Sequence, residues 1–267
     1  MLTDDFFLLD DSKGSHTRRN RLAHLPDADP RYALVEKRFK KGWKHPDKLL
    51  PPIHAIFKIL LTRESLGTYQ LYRARVAAMP WVKNNKYRGN EKLLFHGTNR
   101  CCLLAEDSGR TRLCELPECH LCRIVGNSFD IGKSVALLIR EGHRSEAQIS
   151  QIWNGNILDV MLINTEADDY VANNAKKSNY RVMLASRVVV GRASKQRLNA
   201  TDLNEPPAGY HSVIGKPGQH LNYPETVVYS NDAIRPAFLI VYGFPSDKAS
   251  TSIRSVISTL FKTPLAS

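Results

Sequence analysis

The chain has 267 residues, and its 38 Lys and Arg residues against 26 Asp and Glu residues give a net charge of +12. This length suits one β-rich domain, and an apolar content of 42% is enough to bury one core. No segment approaches the roughly 18 to 20 consecutive apolar residues of a membrane span, and the acidic first residues are unlike a signal peptide. We therefore expect no membrane partner and a soluble intracellular protein, nuclear or cytoplasmic. The positive charge favours an anionic ligand, nucleic acid or an acidic protein surface as partner.

The first part of the chain is polar and basic. Residues 1–30 are interrupted by Gly14, Pro26 and Pro30, which predicts a poorly ordered leader. A run of positive charges then predicts a basic N-terminal arm. Its role is left open among a solvated face, a localisation patch and a contact with nucleic acid. These charges are Arg18, Arg19, Arg21, Lys37, Arg38, Lys40, Lys41, Lys44 and Lys48.

Two helical segments are predicted next. Apolar residues recur at helical spacing over 31–44, and His45-Pro46 ends that pattern. Pro51-Pro52 is predicted to begin a second segment, whose apolar residues from Ile53 to Val76 are interpreted as one continuing helical face.

The later part of the chain predicts strands. A short apolar run from Lys92 ends at Gly97, and the β-branched runs 182–191, 225–229 and 237–242 follow. Ser230-Asn-Asp supplies a turn between the last two. Helices first and strands mostly later predict an α+β fold with a split, largely antiparallel sheet.

All five cysteines lie between residues 101 and 122, which is typical of a local metal site and not of a secreted disulfide framework. Cys119 and Cys122 are separated by two residues, so both thiolates can reach one ion. The pattern predicts a closed structural zinc site of four cysteines, with His120 as a less favoured ligand and reduced buried thiols as the alternative. Such a site would stiffen its loop and would not activate water.

Two distant segments carry a resemblance to a known family. Leu-Leu-Phe-His-Gly-Thr at 93–98 and Tyr-Pro-Glu-Thr-Val-Val-Tyr at 223–229 resemble the first and last active-site strands of the poly(ADP-ribose) polymerase catalytic domain. The resemblance implies the ADP-ribosyltransferase fold, with NAD+ bound by His96, Gly97 and Thr98. It implies that Glu225 polarises the ribose that is attacked. Ala167-Asp-Asp-Tyr-Val171 resembles the segment of the family in which a Tyr stacks on nicotinamide, a role that passes to Tyr170.

The cysteine region strengthens the resemblance. The run from His96 to Cys102, followed by the cysteine knuckle and then by Ile124 and Phe129, is similar to a plant and fungal branch of these domains. That match favours Cys102 over Cys101 as the ligand beside Cys114, Cys119 and Cys122. The catalytic-like domain would span 31–244 with a Cys-rich insertion over 101–122, and a tail would occupy 245–267.

The chain departs from the family at one motif. The family has Gly-Ile-Tyr before the segment of Tyr170, but here Leu158 or Asp159 stands where that Tyr is expected. Synonymous codons for Ile152 to Ile163, translated one nucleotide later, spell Phe-Gly-Met-Gly-Ile-Tyr-Ser-Thr-Ser-Cys-Ser-Ser. The doubtful segment 134–165 is thus open to a second explanation, a retained intron or a frame error.

The resemblance implies transfer of ADP-ribose from NAD+ to a protein or nucleic-acid acceptor, with mono-transfer favoured. The alternative is a catalytically inactive module of the same fold that binds nucleic acid or a protein partner. The intact His96 and Glu225 favour the enzyme, whereas the missing Tyr favours the alternative.

Overall fold

A computed structural model describes residues 2–9, 20–44, 48–79, 88–130, 158–161, 164–175, 178–197, 203–217 and 224–244. The helices are α1 (Pro30–Gly42), α2 (Arg63–Ala77), α3 (His120–Asn127) and α4 (Asn164–Asp169). The strands are β1 (Leu22–His24), β2 (Ile53–Ile59), β3 (Glu91–His96), β4 (Asn99–Arg100), β5 (Leu158–Met161), β6 (Ala172–Asn173), β7 (Arg181–Val189), β8 (Ala193–Gln196), β9 (Ser212–Gly215), β10 (Glu225–Val228) and β11 (Ile234–Tyr242). The described residues therefore confirm a mixed α+β architecture.

Helix α1 confirms the first helical prediction. The side chain of Asp29 caps its N-terminus by accepting a 2.9 Å hydrogen bond from the backbone N–H of Arg31, and Pro30 occupies the first turn. Val35 and Phe39 are fully buried on its inner face. Several residues of the predicted basic arm consequently lie on a helix that is packed against the sheet.

The second helical prediction is wrong for its first half. Residues Ile53–Ile59 form strand β2, which pairs with β1 on one side and β11 on the other. The β-branched side chains at Ile53, Ile56 and Ile59 suit a pleated, buried surface, so sheet pairing prevails over helical spacing. The helix begins only after Thr62, whose hydroxyl accepts a 3.1 Å hydrogen bond from the backbone N–H of Ser65.

The described strands form a nine-stranded sheet in the order β1-β2-β11-β7-β3-β5-β10-β9-β8, with β4 and β6 as a separate parallel pair. Apart from β8 and β9, which run parallel, neighbouring strands of the large sheet are antiparallel. Between β3 and β5 the pairing narrows to one residue pair, Phe95 with Met161. The sheet thus consists of a five-stranded and a four-stranded part that meet at this point.

The prediction of a poorly ordered leader is wrong for residues 2–9 and 20–30. Phe7 is fully buried and its ring meets that of Phe238 edge to face at 5.4 Å between centroids. Asp4 is ion-paired with Arg187 at 2.7 Å, and β1 extends the sheet. Burial of Phe7 contributes roughly 1.5–3 kcal/mol toward the cost of ordering this polar segment.

Elements cover both faces of β3. Phe95 contacts Phe39 of α1 at 6.3 Å between ring centroids, whereas the next residue, His96, contacts Phe129 beyond α3 at 5.2 Å. Because successive side chains of a strand alternate, α1 and the segment after α3 lie on opposite faces. Among the described residues, no helix is long and apolar enough to cross a bilayer. The predicted tail after Phe244 and most of 134–165 lie outside the described residues.

Candidate active site and metal centre

His96 is the last residue of β3. The strand pairs with β7 along its whole length, from Glu91 with Val189 to His96 with Leu184. The imidazole is half-buried, and its ring stands nearly perpendicular to that of Phe129, at 83°. A rigid central strand therefore holds His96 at its tip, as the apolar run before it predicted.

Gly97 lies against the turn that carries Tyr170. A Cβ atom on Gly97 would come within 1.8 Å of the carbonyl oxygen of Ala167 and 3.2 Å of the carbonyl carbon of Tyr170. Beyond it, the N–H of Ala172 donates to the carbonyl oxygen of Thr98 at 3.4 Å. The structure therefore brings His96, Gly97, Thr98 and Tyr170 together. It also shows that the chain's own turn occupies the space that the glycine leaves.

Polar contacts of the Asp168 side chain hold that turn in place. Its carboxylate accepts hydrogen bonds from Arg181 Nε at 2.7 Å and from the hydroxyl of Tyr242 at 2.6 Å. Lys48 Nζ approaches the same carboxylate at 3.3 Å. This buried cluster was not predicted from the sequence. Its only local signal is the Asp-Asp pair before Tyr170, and its partners come from two distant strands and from the loop after α1.

Glu225 is the first residue of β10 and is 2% exposed. It pairs with Met161 of β5, and Met161 pairs on its other side with Phe95. Two inter-strand spacings separate the backbones of Phe95 and Glu225, or roughly 10 Å. Glu225 therefore lies at the junction of the two parts of the sheet, at the level where β3 ends.

The register does not bring the imidazole and the carboxylate onto one face. Residues directly opposite in antiparallel pairs share a face, so Phe95 and Glu225 project to the same side and His96 to the other by regular alternation. Strand β5 sets this register, and Asp159, one of the two positions where the family has its Tyr, pairs with Val227. A shift of β5 by one residue against β3, with β10 still paired to β5 as here, would move Glu225 to the face of His96.

The cysteine cluster agrees with the sequence prediction. The sulfur atoms of Cys102, Cys114, Cys119 and Cys122 all lie within 4.8 Å of one another. Cys102 Sγ is 3.8 Å from Cys119 Sγ and 3.5 Å from Cys122 Sγ. Zinc–sulfur bonds of about 2.3 Å in a tetrahedron require sulfur separations near 3.8 Å, so these four side chains fit a zinc ion.

The remaining cysteine and His120 stand outside this group. Cys101 Sγ accepts from Asn99 Nδ2 at 3.3 Å and contacts the carbonyl oxygen of Glu118 at 3.4 Å. Hydrogen bonds from the thiols of Cys102 and Cys122 lower the pKa of Cys119, which occupies the N-cap position of α3 without a capping hydrogen bond from its side chain.

Arg100 connects the metal centre to the segment after Tyr170. The side chain is fully buried, and its guanidinium donates to the carbonyl oxygens of Leu104 at 2.7 Å and Tyr180 at 2.6 Å. It also donates to Asn173 Oδ1 at 3.1 Å and pairs with Glu106 at 3.1 Å. Burial lowers the pKa of Arg100, and Glu106 opposes that change. Arg100 therefore joins the Cys-rich loop to Asn173 and Tyr180.

A polar cavity of about 440 Å³ lies between the start of α2 and the end of α3. Phe129 lines it and also contacts His96, so the cavity adjoins the tip of β3. Two buried arginines, Arg21 and Arg235, lie in its wall. The guanidinium of Arg235 donates hydrogen bonds to the carbonyl oxygens of Ser65, at 2.7 Å, and Asn231, at 2.6 Å.

A scan against models of protein families finds no match to this chain, and a search of curated proteins finds none either. The resemblance therefore depends on the residues quoted above.

Proposed function

We propose that the chain is an ADP-ribosyltransferase with the fold of that family, which transfers ADP-ribose from NAD+ to a protein or nucleic-acid acceptor, with mono-transfer favoured. One observation carries the proposal. The strand tip His96-Gly97-Thr98 contacts the turn of Tyr170, and the buried Glu225, from a third part of the sequence, lies two strands away at the junction of the two parts of the sheet. These are the segments on which the resemblance rests.

The reaction requires the protein mainly to position the ribose of NAD+ and to place a negative charge beside it. The bond between ribose and nicotinamide is already activated by the pyridinium charge. A carboxylate beside the ribose stabilises the oxocarbenium-like transition state electrostatically, and a buried carboxylate does so more strongly than one in water. Glu225 supplies that charge in the proposal, and Tyr170 supplies the flat face on which nicotinamide stacks.

The cavity next to His96 supports a large, polar and anionic ligand. Its volume of about 440 Å³ lies within the usual range for small-molecule sites. Arg21 gives part of its wall a positive charge, which favours phosphate groups. In the proposal, NAD+ extends from the His96 strand tip into this cavity.

The four-cysteine centre has a structural role in the proposal. All four ligand positions of a tetrahedral zinc ion would be taken by Cys102, Cys114, Cys119 and Cys122, so no position is left for a reacting water. Through Arg100 the metal would hold Asn173 and Tyr180 against the Cys-rich loop. It supplies stability and position, and no step of the transfer passes through it.

The register of β5 links two departures from the family. One is the missing Tyr, and the other is the projection of Glu225 to the face opposite His96. Strand β5 lies at the end of the doubtful segment 134–165. If the natural protein has Gly-Ile-Tyr at Asn156-Ile-Leu, a different strand sequence would pair with Glu225. A one-residue shift of the β5–β10 pair against β3 would place His96 and Glu225 on one face. The sequence of the mature transcript across codons 130–170 tests this part directly.

The test of the function is release of nicotinamide from NAD+ by the full chain. We expect the parent protein to release nicotinamide and Glu225→Gln, which keeps the size of the side chain, to lose at least 100-fold of that rate. Glu205→Gln, at an exposed position outside the cavity, is the matched control and should keep the parental rate. Equal thermal midpoints of the three proteins ensure that folding is not the cause.

Two results would count against the enzyme. Release by Glu225→Gln at the parental rate would remove Glu225 from the chemistry. No release by the parent, with a transcript that matches the given chain, would replace the proposal with the inactive binding module. That alternative is favoured by Leu158 and Asp159 at the expected position of the Tyr.

A further inference from the structure

The side chain of Arg181 binds the turn that carries Tyr170 at both of its ends. Arg181 is the first residue of β7, and its Nη2 donates to the carbonyl oxygen of Asp168 at 2.6 Å and to that of Val171 at 3.3 Å. These two carbonyl groups flank Asp169 and Tyr170 in the chain. Arg181 Nε also donates to the carboxylate of Asp168 at 2.7 Å. One guanidinium therefore holds both the backbone and a side chain of this turn.

A guanidinium suits this arrangement better than an ammonium group does. Its N–H donors lie in one rigid plane, so Nε and Nη2 can reach a carboxylate and carbonyl oxygens at the same time. A lysine would keep the positive charge but presents a single nitrogen. The hydrogen bonds of Arg181, beyond its charge, are thus what fixes the turn.

The tip of β3 contacts the same turn. A Cβ atom on Gly97 would lie 3.2 Å from the carbonyl carbon of Tyr170, so the two backbones are in close contact. The backbone of Tyr170 is therefore held by the strand tip and by Arg181, while its half-buried side chain extends from this fixed point. Gly97 cannot be changed without a backbone clash, but Arg181 acts through a side chain that can be.

Replacement of Arg181 should leave the fold intact. Its side chain is 41% exposed, so its loss opens no cavity in the core. The carboxylate of Asp168 keeps two other partners, the hydroxyl of Tyr242 at 2.6 Å and Lys48 Nζ at 3.3 Å. The buried carboxylate therefore stays paired when Arg181 is changed, and the effect is confined to the turn.

We propose that Arg181 is a positioning residue that fixes the backbone of Tyr170 and thereby sets the affinity of the site for the nicotinamide ring. This role rests on the proposed function, in which the ring of Tyr170 stacks on nicotinamide. Arg181 acts through Tyr170 and takes no part in the transfer chemistry. Because stacking is present before the glycosidic bond breaks as well as during the reaction, its loss weakens binding of NAD+ and leaves the rate of the bound complex nearly unchanged.

The test compares the full chain with Arg181→Gln, Arg181→Lys and a matched control. The control is Arg110→Gln, which removes an exposed arginine whose Nε pairs with Asp107 at 2.8 Å in the Cys-rich loop. Release of nicotinamide at varied NAD+ gives KM and kcat, and calorimetry gives the Kd of free nicotinamide. Amide exchange at Val171 and Ala172 measures the order of the turn itself, and thermal midpoints show whether each variant folds.

We expect Arg181→Gln to raise KM for NAD+ and Kd for nicotinamide about fivefold, the scale of one aromatic stacking contact, and to change kcat less than twofold. Exchange at Val171 and Ala172 should become at least tenfold faster. Arg181→Lys should show most of the same loss, and it carries the comparison if Arg181→Gln does not fold. Arg110→Gln should match the parent in every measurement.

Four results would overturn the positioning role. Parental KM and parental exchange in Arg181→Gln would remove it while the transferase activity stands. Full restoration by Arg181→Lys would show that only charge matters, and a fall in kcat at unchanged KM would assign Arg181 to the chemistry. If the parent neither releases nor binds nicotinamide, the proposed function fails and the role in affinity fails with it. Faster exchange in Arg181→Gln would then make Arg181 a structural contact of the turn alone.

Discussion

The carbonyl oxygen of Ala167 lies so close to Gly97 that a Cβ atom on Gly97 would approach it to 1.8 Å. This contact joins the end of β3 to the turn before Tyr170. The two segments lie far apart in the sequence. The close approach of two backbones therefore determines the residue type at position 97 before any ligand is considered.

Gly97→Ala should destabilise the protein, because the atoms that would have to move belong to backbone and not to a flexible side chain. Overpacking of this kind typically costs 1–3 kcal/mol, and we expect about 3 kcal/mol at this contact. The change in the free energy of unfolding can be measured by urea titration.

The matched control is Gly67→Ala in α2, where an added Cβ meets nothing within 4 Å. There alanine should stabilise by about 0.5–1 kcal/mol, since glycine is a poor helix former. Similar unfolding free energies of Gly97→Ala and the parent would show that the turn of Ala167 is not held against the strand tip.

The metal centre makes a stoichiometric prediction. The full chain should carry one zinc ion, measured by elemental analysis after gel filtration. Cys119→Ser should lose it and unfold at a lower temperature, because Cys119 is one of the four clustered sulfurs. Cys101→Ser should keep the zinc, since Cys101 contacts Asn99 and Glu118 and stands outside the cluster.

Removal of zinc by a chelator should also loosen the segment that Arg100 holds. Amide exchange near Tyr180 should then increase, whereas exchange in β9, which is four places from β7 in the strand order, should change little. A metal-free chain with the parental thermal midpoint would show that the cluster is a set of reduced thiols.

A buried ion network predicts loss of stability in acid. Burial raises the pKa of Glu91, but hydrogen bonds and charge from Arg187 and Arg73 outweigh this, so its pKa lies below the ordinary value. The pKa of Asp4 is also below its ordinary value. Burial raises it, but hydrogen bonds from Arg73, Arg187 and Gln70 outweigh that effect.

The direction of the pH dependence of the unfolding free energy follows from the linkage between proton binding and folding. Both carboxyl groups have depressed pKa values in the folded state, so their contribution is fully present above the unfolded values near pH 4 and is lost as the pH falls below them. The unfolding free energy should be flat near neutral pH and decline below about pH 4.5.

Glu91→Gln tests the origin of this decline. The variant should be less stable at pH 7, by roughly 3 kcal/mol, because Arg73 and Arg187 lose a carboxylate in a mostly buried site. Its stability should also depend less on pH between 5 and 3. A variant at the exposed Glu205, Glu205→Gln, should keep the parental profile. An unchanged acid profile in Glu91→Gln would assign the acid sensitivity to other groups.

Much of the local structure could be predicted from the sequence. Helix α1 and the strands over 91–96, 181–189, 225–228 and 234–242 follow from apolar periodicity and β-branched runs. The spacing of the cysteines, together with the family resemblance, predicted the four that cluster. Where local pattern and tertiary pairing disagree, as in Ile53–Ile59, the pairing decided, because a strand between two partners satisfies its backbone hydrogen bonds on both sides.

The sequence by itself determined the element types where periodicity was strong, the net charge and the grouping of the cysteines, since these depend on residues close together in the chain. Only the tertiary structure decided the contact of Gly97 with Ala167 and the burial of Arg100 between two loops. It also decided the face on which Glu225 projects. Such relationships depend on strand order and register, which are selected by the packing of the whole sheet and cannot be derived from any single segment.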